Sequence, residues 1–97
     1  MTPSEIMTFF SQRKSGDMIW IEFRRAKSNV DYDYYYFEVK IYSIVLKELI
    51  IGIDDTQVNY YITFAPIENS SKTIPNIIDC VLNKYIARDY ISAGLIT

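Results

Sequence analysis

Apolar positions along the chain change period several times, and those changes divide it into elements. Ile6, Phe9 and Phe10 fall at helical spacing behind Thr2-Pro3-Ser4-Glu5, which offers an N-cap, a proline at the first helical position and a glutamate three residues after the cap. This pattern predicts a helix over about residues 3–14, stopped by Gly16. From Met18 to Lys27 the repeat becomes two residues, with Ile19, Ile21 and Phe23 alternating against Trp20, Glu22 and Arg24. A turn over Asn29–Asp33 then leads to a second strand, about Tyr34 to Ser43. In that strand Tyr35, Phe37, Val39 and Ile41 point to the core, and Tyr34, Tyr36, Glu38, Lys40 and Tyr42 point away.

Ile44 to Ile53 fits two readings. Its β-branched residues favour a strand that exposes Glu48 and buries Leu49, Ile51 and Ile53, but Ser43 and Gly52 could also bracket a short helix. Asp54 to Gln57 reads as a turn and Val58 to Ala65 as a strand. After a polar loop over Pro66–Thr73, Ile77, Ile78, Val81, Leu82, Tyr85 and Ile86 form a stripe of helical spacing behind Pro75, which predicts a second helix ending near Ser92. The expected fold is one α+β domain over residues 1–97. It is an antiparallel sheet of three to four strands, with an N-terminal and a C-terminal helix packed on one face.

Composition narrows function by exclusion. With 49% hydrophobic and 15% aromatic residues among 97, the chain can bury a core. Ten basic against twelve acidic residues, net −2, is neither the basic field of a duplex binder nor the large acidic excess of a DNA mimic. A single cysteine, Cys80, permits no internal disulfide. With no secretory leader and no long apolar run, the expected location is cytoplasmic, with no membrane partner.

Chemistry is poorly provided for. Histidine is absent, which removes the commonest general base and metal ligand, and no glycine-rich phosphate loop is present. Cys80 has no partner base, and helical counting puts it off the apolar stripe. Asp31/Asp33 and Asp54-Asp55 read as solvated turn formers rather than as a magnesium site. The sequence therefore points to a non-enzymatic chain with no cofactor, no metal and no catalytic residue.

What remains is a surplus of rings. Alternation cannot bury every aromatic of Tyr32-Asp33-Tyr34-Tyr35-Tyr36-Phe37, so half must stand on the opposite face. The expected partner-binding set is Trp20, Glu22, Arg24, Tyr34, Tyr36, Glu38, Tyr42 and Tyr61, a face of aromatics edged by mixed charge. The expected function is a small protein-binding domain acting as a stoichiometric inhibitor. The isoleucine-, tyrosine-, asparagine- and lysine-rich composition of AT-rich coding suggests a phage anti-defence or immunity protein. The alternatives are a single-stranded nucleic-acid module, disfavoured by the acids beside the tyrosines, and a homo-oligomeric subunit whose second copy covers the face.

Overall fold

The computed structural model describes residues 1–53 and 55–97. It is one sheet of five antiparallel strands with a single short helix. Helix α1 (Pro3–Ser11) precedes β1 (Met18–Ala26), β2 (Tyr32–Ile50) and β3 (Thr56–Pro66). Strand β4 (Ile78–Leu82), a 3-10 turn (Ile86–Asp89) and β5 (Tyr90–Leu95) complete the chain. The spatial order is β4-β3-β2-β1-β5. The chain thus meanders from β1 to β4 and then crosses one face of the sheet to add β5 on the far edge.

The start of α1 follows its sequence signature. The Glu5 backbone N–H donates to Thr2 Oγ1 at 3.1 Å, and the Thr2 N–H donates to Glu5 Oε1 at 2.9 Å, a reciprocal capping box. Hydrogen bonding from the Thr2 backbone N–H first, and from its hydroxyl second, holds the Glu5 carboxyl below its usual range. The helix stops at Ser11, short of the expected 14. Gly16 serves the following turn, where its φ of 97° suits a residue without Cβ and its N–H donates to Ile41 O at 2.7 Å.

The alternation read for β1 places Ile19 and Ile21 in the core opposite Val39 and Phe37 of β2. Strand β2 runs farther than expected and contains a bulge: Ile41 pairs with Phe64 and Ser43 with Thr63, leaving Tyr42 unpaired. The extra residue shifts the inward phase from odd to even positions, so that Ile44 faces Ile62 on the core side. The strand preference for residues 44–50 is met, but the expected burial is not. Leu49 is 56% exposed, Ile51 47% and Ile53 98%. The ribbon runs past the end of the core, and Leu46, Leu49 and Ile50 on it are half or more exposed.

The C-terminal helix expected over 75–92 is absent, and the fold is not a sheet flanked by two terminal helices. Ile78, Asp79, Cys80, Val81 and Leu82 form β4, in register with Phe64 through Tyr60. Leu82 is fully buried and Cys80 packs on the core, whereas Asp79 and Val81 face the other way. Asn83 then breaks the strand: its Oδ1 accepts from the N–H groups of Tyr85 and Ile86, both at 3.0 Å, and its amide donates to Asn59 Oδ1 at 3.2 Å. The turn that follows seats Ala87, with no exposed surface, between α1 and the sheet.

The core is one cluster: Ile6 and Phe10 from α1, Ile19, Ile21, Val39, Ile41, Ile62, Phe64 and Leu82 from the sheet, with Ile74, Ala87 and Ala93. All of it lies on the face crossed by α1 and the 3-10 turn. Among the described residues, the opposite face carries no second layer, and the molecule measures only 21 Å in its thinnest direction against 48 and 35 Å in the others.

Candidate functional site

The uncovered face is built by the strand alternation itself. Trp20, Glu22 and Arg24 on β1 sit opposite Glu38, Tyr36 and Tyr34 on β2, so six of the eight expected residues share one stretch of two neighbouring strands. Trp20 and Tyr36 stack with ring centroids 6.3 Å apart and planes 19° from parallel. Tyr34 is 67% exposed and Tyr36 39%, and neither they nor Trp20 are enclosed by the chain.

Two features hold the Trp20 ring flat. Gly94 of β5 pairs with Trp20, and a Cβ built there would fall 2.6 Å from three indole atoms. The indole thus occupies the place of the missing side chain. On its other side, the loop between β3 and β4 returns along β2: the Glu38 N–H donates to Lys72 O at 3.1 Å, and Lys72 Nζ lies 5.1 Å from the Tyr36 ring centre. Ser70 Oγ donates to Glu38 Oε1 at 3.4 Å. Sequence reasoning left this loop out of the site, and a polar loop of that length carries no signal of where it docks.

Charge around the rings is mixed. Desolvation raises the Tyr36 phenol above its ordinary value, and the carboxylates of Glu38 and then Glu22 raise it further. The Arg24 guanidinium lies 4.4 Å from the Tyr32 ring centre, and its buried Nε has no hydrogen-bond partner among the described residues.

The remaining two expected residues do not join this cluster. Tyr61 pairs with Val45, roughly 30 Å along β2 from Tyr36 at about 3.3 Å per residue, and Lys47 Nζ sits 5.1 Å from its ring centre. Tyr42 is the unpaired bulge residue, 63% exposed. Its carbonyl accepts from Ser15 Oγ at 2.6 Å, a structural contact that sequence pattern could not show.

The helix side holds a second concavity that sequence reasoning missed. Tyr35 and Phe37, expected in the core, stack with Phe23 at 5.1 and 5.9 Å, and Tyr90 stands 6.3 Å from Phe23. Phe23, Phe37 and Tyr90, with Ile21, Phe64 and Ile78, line a groove of about 380 Å³. Cys80 lies on its floor, where burial pushes the thiol up to about 11 despite the Tyr90 hydroxyl, with Asp79 adding to the rise. Burial likewise raises Tyr90. Both groups are protonated at neutral pH, and a protonated thiol is a poor nucleophile.

Among the described residues, no three acidic or cysteine side chains gather where a metal could be held. Asp54 lies outside the described residues, so the Asp54-Asp55 pair is not assessed as a ligand set. No described helix is long and apolar enough to cross a membrane. Comparison with known protein families, with curated proteins and with solved structures finds no match to this chain.

Proposed function

We propose that the chain is a small protein-binding domain that docks a partner protein on the uncovered sheet face, and that it works by occupancy rather than catalysis. The observation that carries this reading is the Trp20–Tyr36 stack, held flat on Gly94 and ringed by Glu22, Arg24, Glu38 and Lys72, on a face that has no layer of its own. Rigid aromatic side chains within a rim of both charge signs give large contact area at low entropic cost. Within this class a stoichiometric inhibitor of phage anti-defence or immunity type is the reading that size and composition favour.

The rival occupant is single-stranded nucleic acid, since bases also stack on strand aromatics. Its phosphates would lie beside Glu22 and Glu38, whose charges already reach the Tyr36 phenol. That local field favours a protein surface. Affinity capture from source-cell lysate, wild type beside Tyr36→Ala, tests the proposal. One protein should be retained by wild type and depleted at least about tenfold by the variant. Equal retention by both, or salt-sensitive retention of the wild type on oligonucleotide resin, would overturn it.

A further inference from the structure

The groove on the helix side reaches the core. Its walls include Val39, Phe64 and Ile74, all at 5% exposure or less, together with Ile78, Ile86 and the rings already described. Strands β1 to β4 all contribute to it, and Ile74 and the 3-10 turn add residues from outside the sheet. Folded interiors are close-packed, and apolar atoms that border a void forfeit their dispersion contacts on that side. A void of about 380 Å³ in a chain of 97 residues falls within the range of small-molecule sites, about 300–1,000 Å³. At about 30 Å³ for a water-sized group, it has room for roughly a dozen heavy atoms.

Polar groups along the groove are few, and they are placed unevenly. At the floor, the Cys80 thiol and the Tyr90 hydroxyl are both neutral and bond each other. Water would find few partners there, and buried water makes about 2–4 hydrogen bonds. The charged lining residues are Arg24, Arg25 and Asp89, a net charge of +1. Both arginines lie together at the end of β1, beyond Phe23. Alternation puts Arg25 on the same face as Ile21 and Phe23, while Asp33, opposite it on β2, does not line the groove.

We infer that the groove binds a small amphipathic anion, with an apolar chain against Phe23, Phe37 and Ile78 and a carboxylate at Arg25. The neutral, apolar floor takes the chain, since a charged group there would lose its hydration with no ion to pair. Net positive charge at the end of β1 selects an anionic head over a cationic one. The groove lies across the sheet from Trp20, so this site goes beyond the docking of a partner protein and fails independently of it.

Isothermal titration of the whole chain with hexanoate, octanoate and decanoate tests the inference. One molecule should bind per chain, with affinity rising about fourfold for each added methylene. Decylamine should bind more weakly than decanoate. Arg25→Gln, at an exposed position, should weaken decanoate about threefold or more and leave decanol unchanged. Ile78→Trp, which puts a larger side chain into the groove from an exposed position, should abolish binding with the circular dichroism spectrum kept. Tyr36→Ala, on the other face, should bind decanoate as the wild type does. Saturating decanoate should also slow labelling of Cys80 in the unmodified chain. Absence of decanoate binding, equal binding of decylamine, binding lost in Tyr36→Ala or unchanged Cys80 labelling would each overturn the inference.

Discussion

Replacing Gly94 by alanine probes the construction of the docking face at one atom. The added Cβ would lie 2.6 Å from Cε2, Cζ2 and Nε1 of Trp20, where a relaxed carbon contact is about 3.5–4.0 Å. The indole must move by about 1 Å or more. Two terms of opposite sign then compete. Alanine gains about 0.5–1 kcal/mol over glycine within a strand through the unfolded chain's lower entropy. Forcing a packed ring aside costs about 1–3 kcal/mol. The clash outweighs the gain over most of these ranges, so we expect a net loss of up to about 2.5 kcal/mol, or up to roughly 20 °C in Tm at about 4–8 °C per kcal/mol for a domain of this size.

Because Trp20 is the sole tryptophan, its emission reports the same event directly. The variant should show altered indole emission and faster acrylamide quenching, together with a lower urea midpoint at unchanged m-value. Unchanged emission with equal or higher stability would mean that the ring does not rest on Gly94, and the rigid-face reasoning would fall with it.

Further expectations concern the fold and the thiol. Leu82→Ala should destabilise by about 2–5 kcal/mol and Val81→Ala by well under that in denaturant titration, because a strand sends the two to opposite faces; equal losses would restore a helix. Thr2→Ala removes the capping box and should cost about 0.5–2 kcal/mol, read as a lower thermal midpoint. Cys80, with its folded pKa raised from 9.0 to about 11, should react slowly with a disulfide reagent at pH 8 unless the chain is unfolded. Since the unfolded thiol ionises first, stability from this group is complete below about pH 9 and falls as pH rises toward 11. Rapid labelling of the native protein would contradict the burial.

The sequence carried the β1–β2 face because a two-residue repeat leaves no freedom: once Ile19, Ile21, Val39 and Ile41 are inside, Trp20, Tyr34 and Tyr36 stand outside. It misled at residues 78–95 because Ile78 and Leu82 satisfy both periods. Helical spacing groups Ile78 with Leu82, and strand spacing does the same through Cys80. What decided between them was tertiary: the open edge of β3, and Asn83 ending the strand by accepting two backbone N–H bonds. The bulge at Tyr42 was equally silent, since one inserted residue leaves no compositional mark yet inverts the phase of all that follows. Tyr61 stands on the uncovered face as expected, but register pairs it with Val45, nine residues along β2 from Tyr36 and away from the cluster it was expected to join.

Hydroxyl-radical footprinting of the chain, free and bound to its captured protein, compares the two faces in one measurement. Trp20, Tyr34 and Tyr36 should react when free and be protected when bound, while Tyr85, exposed and outside the cluster, stays reactive in both states. Protection of Phe23 and Phe37 in the helix-side groove, with Trp20 and Tyr34 left reactive, would contradict docking on the uncovered sheet face.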